Sequence, residues 1–279
     1  MAGMTAEPEG MPTQGRREQI ATLVSDRGFV RVGDLAETFG ISRVTVRSDL
    51  DVLEGQGLLK RVRGGALAFE RGTSRASRAG GIVESSFEDA MDAAVGEKTL
   101  IGRAAARLIT SGESVILEAG STTMATARAL VERADLRDVV IFTNGLAIAL
   151  ELERAIPRFT VVVTGGTVRP LQHSLVNPLG AGMLAQINAD TVFLGCNGVH
   201  PKRGFTNLNL PEAELKQAMI SSAGRRIFVA DGSKVGRIEL APICALDEAD
   251  LLLTGAAADG QVVAECRDAG LDVEVCTET

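Results

Sequence analysis

The sequence predicts a two-part α/β chain, in which a small α+β head precedes a larger body built on a doubly wound sheet. Three observations support this division. The chain has 279 residues, which is longer than one ordinary domain. Apolar residues recur at helical spacing near the N terminus, whereas short β-branched segments alternate with helical ones from Gly96 onward. The charge is divided in the same way, because the head is slightly basic and the rest of the chain is acidic.

The charge of the head differs from that of the remaining chain. Residues 16–66 include nine basic and seven acidic side chains, so this segment carries +2 of a net charge of −7 and the remainder carries −9. A negative total argues against a protein that coats nucleic acid indiscriminately. A basic head on an acidic body predicts two tasks in two places.

Membrane, secretion and metal functions are not expected. No apolar run approaches the roughly 20 residues that a membrane span requires. Residues 1–15 contain acids and prolines without an apolar core, which predicts a disordered tail rather than a secretion signal. The cysteines Cys196, Cys244, Cys266 and Cys276 are widely spaced and form no CxxC pair. We therefore expect reduced thiols in a cytoplasmic protein without a metal site.

The head, residues 16–68, is predicted to contain three short helices. In the first two helices, apolar residues share one face at spacings of three and four. These residues are Ile20, Leu23 and Val24 in the first helix and Leu35, Ala36 and Phe39 in the second. We expect Gly28 and Gly40 to end these helices, because glycine readily adopts the left-handed conformation of a helix C terminus.

The third helix is predicted to follow a tight turn at Gly40 and Ile41. Ser42 stands where its hydroxyl can accept a free backbone N–H of this helix. The apolar face consists of Val46, Leu50 and Leu53 at i, i+4 and i+7. Gly57 is expected to end the helix. Two helices joined by such a turn form a helix-turn-helix.

A β-hairpin wing is predicted after the third helix. In "LLKRVRGGAL", Leu59, Arg61 and Arg63 alternate with Lys60 and Val62, and a turn at Gly64 and Gly65 follows. With the apolar face turned inward, the polar residues of the third helix face the major groove of DNA. The basic residues of the wing are expected to hold phosphates. The predicted DNA contacts are Ser42, Arg43, Thr45, Arg47 and Ser48 on the helix and Lys60, Arg61 and Arg63 on the wing. The alternative is a small helical bundle with a solvated charged face.

Residues 69–94 are rich in glycine, serine and arginine without an apolar period, so we interpret them as a linker. The body, residues 95–279, then contains six short β-branched segments: "SVILEAG", "VVIFTNG", "FTVVVTGG", "DTVFLGCNG", "RIFVADGS" and "DLLLTG". Nearly continuous apolar character is typical of strands buried on both faces of a parallel sheet. Helical patterns lie between them, which predicts a doubly wound, Rossmann-like and mostly parallel sheet.

Polar and glycine residues follow five of these strands. Ligands of doubly wound sheets bind at the carboxyl ends of the strands. The segment "AGSTT" brings bare N–H groups and three hydroxyls to a helix N terminus, where phosphate is favoured. No GKS or GKT follows it, and GxGxxG is absent, so neither a nucleoside triphosphate nor a dinucleotide is expected. Each loop alone could be only a turn, but the five together predict a small phosphorylated ligand.

The head motif "GDLAETFGISRVTVRSDLDVLEGQGLLKRVRGGA" resembles the signature of the DeoR family of bacterial transcription regulators. Ser48 departs from it, because many members have a second arginine there, and the operator sequence is therefore open. The body resembles the effector domain of the same family, which is similar to ribose-5-phosphate isomerase. The matching pieces are Lys98, "AGSTT", "TNG", "TGG", "LPEAELK" and "ADGSKVG", so the resemblance spans about residues 16–255.

The resemblance implies a sugar-phosphate effector. The residues expected to bind it are Lys98, Gly120, Ser121, Thr122, Thr123, Asn144, Gly166, Asn197, Glu212, Lys216, Asp231 and Lys234. Its phosphate would lie on the four residues from Gly120 to Thr123. Two alternatives remain open at this point: Glu212 and Lys216 could form an i, i+4 surface pair, and Asp231 and Lys234 could only shape a turn.

The sequence therefore predicts a DNA-binding regulator, at least a dimer and up to a tetramer, that represses a sugar-catabolism operon under control of a phosphorylated sugar. No cofactor, metal or catalytic residue is expected. The rivals are a sugar-phosphate isomerase with an added helical domain, and an interaction protein. An isomerase needs a carboxylate base. The segment "FLGCNGVHP" offers none, although Glu212, Glu214 and Asp231 remain possible bases.

Overall fold

A computed structural model describes residues 13–27, 29–55, 59–62, 64–68, 84–176 and 178–278. The chain divides into two compact units, Met1–Ala79 and Gly80–Thr279, and the head lies in the first and the body in the second. The predicted tail up to residue 12, the predicted linker over residues 69–83, and Gly28, Gly57 and Arg63 lie outside the described residues.

The head contains three helices and a three-stranded antiparallel sheet. The elements are α1 (Thr13–Arg27), β1 (Phe29–Arg31), α2 (Val32–Phe39), α3 (Arg43–Gly55), β2 (Leu59–Val62) and β3 (Gly65–Ala68). Strands β2 and β3 form the predicted wing, and β1 pairs with β3 to complete the sheet. The winged helix-turn-helix is thus confirmed. Because α1 begins at Thr13, the prediction of a disordered tail is wrong for residues 13–15.

The turn between α2 and α3 forms as the sequence predicts. Gly40 has φ 63°, which is the left-handed conformation that favours glycine, and its N–H bonds to the carbonyls that end α2. The Ser42 hydroxyl accepts the Thr45 N–H at 3.1 Å, so the predicted N-cap of α3 is confirmed. The apolar face of α3 packs into the core of the head, with Val46, Leu50 and Leu53 fully buried.

The described residues of the second unit form a seven-stranded sheet with helices and two smaller sheets around it. In chain order its first elements are α4 (Phe87–Asp92), α5 (Val95–Arg107), β4 (Ser114–Leu117), α6 (Ser121–Glu132), β5 (Val139–Thr143), α7 (Leu146–Leu152), β6 (Phe159–Val163), β7 (Thr167–Arg169), β8 (Ser174–Val176) and α8 (Leu179–Leu184). They are followed by β9 (Ala189–Leu194), β10 (Gly198–His200), β11 (Gly204–Asn207), α9 (Leu210–Ser221), β12 (Ala223–Ala230), β13 (Ala241–Cys244), β14 (Leu251–Gly255), α10 (Gly260–Asp268) and β15 (Val273–Cys276).

The main sheet has the order β15-β14-β12-β9-β4-β5-β6, and all of its described strand pairs are parallel. This confirms the doubly wound, Rossmann-like body and the six predicted strands; β15 was not predicted. Alternate residues of one strand belong to opposite core clusters, as Val115 and Leu117 face one layer and Ile116 the other. Because both faces are covered, each strand reads as a continuous apolar run.

The interpretation of residues 69–94 as a linker is wrong at its C-terminal end, where the chain is folded. Helix α4 lies within it, and the Ser86 hydroxyl caps this helix by accepting the Asp89 N–H at 3.1 Å. Phe87 is buried in the core of the second unit. Neither the cap nor the buried ring of this short helix produces the periodic apolar pattern that identifies a helix in a sequence.

Three further features of the described residues concern membrane helices, cysteines and metal ligands. Among the described residues, no helix is long and apolar enough to cross a membrane. The four cysteines are free thiols, and three of them are buried. No group of histidine, cysteine and acidic side chains suited to a metal ion occurs in the described part of the chain.

Candidate functional site

The head presents a polar face on α3. Ser42, Arg43, Arg47 and Ser48 are exposed, and Thr45 is half-buried. The Ser42 and Thr45 hydroxyls bond to each other at 2.8 Å in addition to forming the cap, so both also stabilise the start of the helix. The exposed cations at the N-terminal half of α3 are therefore Arg43 and Arg47. This is the half of a recognition helix that enters the major groove.

Several other basic residues of the head are paired with acids. Asp49 is buried and accepts from the Nε atoms of Arg16 at 2.8 Å and Arg17 at 2.9 Å. Burial raises the pKa of the Asp49 carboxyl, but the two guanidinium groups outweigh this and hold it below the ordinary value. Arg61 on the wing pairs with Asp51 of α3. The side chains of Lys60 and Arg63 lie outside the described residues, so their predicted phosphate contacts stay predictions.

The body contains a cavity of about 380 Å³ at the carboxyl ends of β4, β9 and β12. Nine of the twelve residues expected at an effector site line it: Lys98, Gly120, Ser121, Thr122, Asn197, Glu212, Lys216, Asp231 and Lys234. Residues 84–94, which we call the strap, form one wall. The volume is within the range of small-molecule sites, and it suits a ligand of modest size.

Three residues of the predicted site do not line the cavity, and the prediction of direct ligand contact is corrected for them. Thr123 is fully buried and donates to the Gly120 carbonyl at 2.9 Å. Asn144 accepts from the Ala119 N–H at 2.7 Å and donates to the Leu175 carbonyl at 3.1 Å, so its amide shapes the loop beside the cavity. Gly166 packs against β8, where an added Cβ would lie 2.4 Å from the Val176 carbonyl oxygen.

The N terminus of α6 opens into the cavity. Gly120 is the N-cap residue, and no side chain caps the helix there. The first N–H groups of a helix have no partner within the helix, and they carry partial positive charge. Ser121 and Thr122, whose side chains carry hydroxyls, line the cavity at this terminus. These groups can bind an anion such as a phosphate.

Lys216 forms a buried ion pair that was not predicted. Its Nζ lies 3.3 Å from Glu118 Oε1 and donates to the Gly195 carbonyl at 2.8 Å. Glu118 also accepts from the Gly195 N–H at 3.1 Å. Burial raises the pKa of the Glu118 carboxyl to about 7; the Lys216 ammonium opposes the rise, and the nearby Glu212 carboxylate adds to it. This carboxyl can therefore donate or accept a hydrogen bond near neutral pH.

Glu212 belongs to a second buried network, so the surface-pair interpretation of Glu212 and Lys216 is wrong. Arg169 donates to Glu212 Oε1 at 2.7 Å, and Ser174 donates to the same oxygen at 3.1 Å. Asn207 donates to Oε2 at 3.3 Å. All of these contacts hold the carboxylate in the cavity wall.

Lys98 connects the cavity with the strap. It is buried, and its Nζ donates to the carbonyls of Ala90 and of Ala93, the latter at 2.8 Å. Asp231 Oδ2 lies 4.0 Å away, which is beyond hydrogen-bond distance. Burial lowers the pKa of the Lys98 ammonium, a change that Asp231 opposes and Lys234 reinforces. The strap thus accepts two of the three N–H donors of this ammonium.

Sequence reasoning missed several residues of the cavity wall. Glu118 follows β4 directly and precedes "AGSTT", so its position at a strand end was an available signal. Asn207 lies at the end of β11, in a small antiparallel sheet that was not predicted. Cys196 also lines the cavity, but burial raises the pKa of its thiol to about 12, so it is not a nucleophile.

A winged helix-turn-helix joined to a doubly wound domain with a polar cavity defines a DNA-binding regulator with a ligand-binding body. The DeoR-like helix-turn-helix domain matches residues 16–71, and the DeoR C terminal sensor domain matches residues 93–256. The chain belongs to the DeoR family of transcriptional regulators. It is therefore a DNA-binding regulator, and the rival interpretation as an isomerase is wrong.

Three similar proteins are regulators that match this chain over most of their length. The HTH-type transcriptional regulator GolR of Listeria innocua is 30% identical over 93% of this chain and 97% of its own. The HTH-type transcriptional regulator GlpR of Haloferax volcanii is 33% identical, with coverages of 92% and 96%. The lactose phosphotransferase system repressor of Staphylococcus epidermidis is 29% identical, with coverages of 86% and 90%.

Among solved structures, ribose 5-phosphate isomerase A of Methanocaldococcus jannaschii is similar to part of the chain. The identity is 16%, the match covers 49% of this chain and 52% of the isomerase, and the TM-score is 0.37. A likeness this partial supports neither a ligand nor an activity.

Proposed function

We propose that the chain is a repressor of a carbohydrate-catabolism operon and that a sugar phosphate bound in the body cavity controls its affinity for DNA. One observation carries the proposal: the uncapped N terminus of α6, buried ammonium groups and several carboxylates and amides line a single cavity of about 380 Å³. The first feature suits a phosphate, and the others suit a polyhydroxylated chain. The staphylococcal relative is named as a repressor of a lactose phosphotransferase system, which agrees with repression and with a sugar-related role.

The phosphate is assigned to Gly120, Ser121 and Thr122, with Lys98, a buried ammonium that lines the same cavity, as its cationic partner. The hydroxyls of the sugar are assigned to the polar groups along the remaining wall. These groups are Asn197, Glu212, Lys216, Asp231 and Lys234, together with the unpredicted Glu118 and Asn207. A carboxyl with a pKa of about 7 can act toward a hydroxyl as donor or acceptor.

On the DNA side, Arg43, Arg47 and Ser48 are assigned to base edges and neighbouring phosphates. All three are exposed on the N-terminal half of α3. One recognition helix contacts too few bases for useful selectivity, so the protein acts at least as a dimer on two half-sites about 34–36 Å apart or a multiple of that distance. Sedimentation at micromolar concentration tests this, and a monomer with full DNA affinity contradicts it.

The experiment uses the full chain and a fragment of the promoter upstream of its gene. Thermal unfolding is first measured with ribose 5-phosphate, glucose 6-phosphate, galactose 6-phosphate, fructose 6-phosphate and fructose 1-phosphate. A ligand at 100 times its dissociation constant stabilises the folded state by about 2.7 kcal/mol. The compound that raises the melting temperature is then added during a titration of the DNA, followed by fluorescence anisotropy.

Thr122→Glu tests the site itself, because it brings a carboxylate to the place assigned to the phosphate. We expect this variant to bind the promoter fragment and to lose the response to the sugar phosphate. Thr160→Glu, the same change at an exposed position of β6, is the matched control and should respond as the wild type does. A normal response by Thr122→Glu would contradict the site assignment.

A further inference from the structure

The strap is the first described segment of the second unit, so it lies between the head and the body in the chain. Its polar side chains and backbone form a wall of the cavity through Glu84, Ser85, Asp89 and neighbouring alanines. A ligand in the cavity therefore meets the same segment that leads along the chain to the DNA-binding unit.

Polar contacts with the turn between β7 and β8 hold the start of the strap. Arg169, the last residue of β7, donates from Nη1 and Nη2 to the Glu84 carboxylate, and the Nη1–Oε1 distance is 3.0 Å. The Gln172 side chain donates to the Ser85 carbonyl at 2.7 Å. His173 Nε2 lies 2.8 Å from Glu88, and its ring centroid lies 5.4 Å from that of Phe87.

The other end of the strap is held by Lys98, through the carbonyls of Ala90 and Ala93. Two apolar side chains of the strap contact the core, namely Phe87, which is buried, and Met91, which is half-buried. Its other side chains are exposed or half-buried except for the Ser86 cap, so the strap buries less apolar surface than the elements of the sheet do. Segments held by polar contacts with little apolar burial open at lower free energy than the packed core does. The strap can therefore change position while the sheet stays folded.

Arg169 joins the strap to the wall of the cavity. The same Nη1 atom that contacts Glu84 donates to Glu212 Oε1 at 2.7 Å, and Glu212 is a buried residue of the cavity lining. The side chain of Arg169 is itself 16% exposed, so this pairing is shielded from solvent. A guanidinium between two carboxylates links their positions, which a lysine cannot do with the same geometry.

We infer that Arg169 is a positioning residue and that the strap is the element through which occupancy of the cavity alters DNA binding. The inference rests on the proposed function. The strap is closed in the arrangement described above and open when its polar contacts are broken. Ligand groups that bond to Ser85, Asp89 and the third N–H of Lys98 favour the closed strap. A ligand shifts a two-state equilibrium only through such a difference in affinity. A substitution that breaks the ion pair between Arg169 and Glu84 favours the open strap.

The test combines amide hydrogen exchange of residues 84–94 with DNA titrations of the full chain. The variants are Glu84→Gln, Arg169→Gln and the conservative Arg169→Lys. Arg154→Gln is the control, because Arg154 forms an ion pair with Glu151 and is 70% exposed. Far-ultraviolet circular dichroism confirms that each variant is folded.

In the wild type, the sugar phosphate with the largest thermal shift should slow exchange in the strap. Glu84→Gln and Arg169→Gln should speed that exchange at least about fivefold in the absence of ligand, Arg169→Lys should lie between, and Arg154→Gln should match the wild type. The ratio of DNA dissociation constants with and without the sugar phosphate should fall toward one in both glutamine variants, while a thermal shift by the ligand persists. That persistence distinguishes lost transmission from a lost site.

Two results would overturn the inference: strap exchange that neither glutamine variant alters, or faster exchange with a wild-type response to the sugar phosphate. If none of the five sugar phosphates raises the melting temperature of the wild type, the proposed function has failed. The DNA affinity of the ligand-free protein then tests the inference separately. Opening the strap should then change the dissociation constant of Glu84→Gln for the promoter fragment at least about threefold. An unchanged constant, together with faster strap exchange, would refute transmission through the strap.

Discussion

The buried carboxyl of Glu118 should make the stability of the protein depend on pH in a way that one substitution removes. Burial raises its pKa from 4.5 in the unfolded chain to about 7 in the folded protein. The folded state then holds a proton over a pH range in which the unfolded state has lost it. This contribution to stability is fully present below pH 4.5, and it is lost as the pH rises through about 7.

The size of the effect follows from the shift. One pKa unit corresponds to about 1.4 kcal/mol, so the whole shift is worth ~3 kcal/mol. Between about pH 5 and about pH 8, the linkage gives a loss of about 2–3 kcal/mol. In Glu118→Gln this loss is absent, because the amide does not titrate. The difference in unfolding free energy between wild type and variant should therefore decrease by that amount over this range.

Urea unfolding followed by far-ultraviolet circular dichroism measures this difference, since the chain has no tryptophan or tyrosine to serve as a fluorescent probe. Glu132→Gln, the same change at an exposed position of α6, controls for removal of a charge as such. If the profiles of wild type and Glu118→Gln stay parallel from about pH 5 to about pH 8, the assignment of a raised pKa to Glu118 is refuted.

Three further variants test the head and the core. Arg47→Ala should weaken specific operator binding by about 1–3 kcal/mol without lowering the melting temperature, because this side chain is exposed. Ser42→Ala removes the hydroxyl that caps α3 and should destabilise the head by about 0.5–2 kcal/mol in urea unfolding. Gly102→Ala adds a Cβ that would lie 2.5 Å from the carbonyl of Ala125 on α6, and it should destabilise the body by about 1–3 kcal/mol.

Each of these expectations has a clear contradiction. If Arg47→Ala binds the operator as tightly as the wild type does, the assignment of α3 as the recognition helix is wrong. A Ser42→Ala protein as stable as the wild type would show that the cap hydrogen bond is replaced by water. Unchanged stability of Gly102→Ala would mean that α5 and α6 separate at Gly102 without cost.

Most of the fold could be predicted because its signals are local. The turn at Gly40, the cap at Ser42 and the apolar face of α3 all lie within a few residues of one another. Strand β1 was missed because it has only three residues and gains its structure by pairing with β3, as in Val30 with Ala66. Strand β15 was missed for a similar reason, since only β14 pairs with it at the edge of the sheet.

The site was predicted less completely, because a residue type does not reveal where its hydrogen bonds go. Asn144 follows a strand as a ligand-binding residue would, yet the oxygen and the nitrogen of its side-chain amide both bond to the backbone. The pairing of Arg169 with Glu84 joins residues 85 positions apart and has no local pattern. Strand ends that lie together could be predicted, whereas networks between loops required the three-dimensional structure.

A thermodynamic cycle tests the central claim most directly. The dissociation constant for the promoter fragment is measured with and without saturating sugar phosphate, and that for the sugar phosphate with and without saturating DNA. Thermodynamic linkage requires that the sugar phosphate changes the dissociation constant for DNA by the same factor by which DNA changes that for the sugar phosphate. We expect equal factors of at least about fivefold for the wild type and a factor of one for Thr122→Glu. A wild type that binds both DNA and the sugar phosphate with a factor of one would contradict the account.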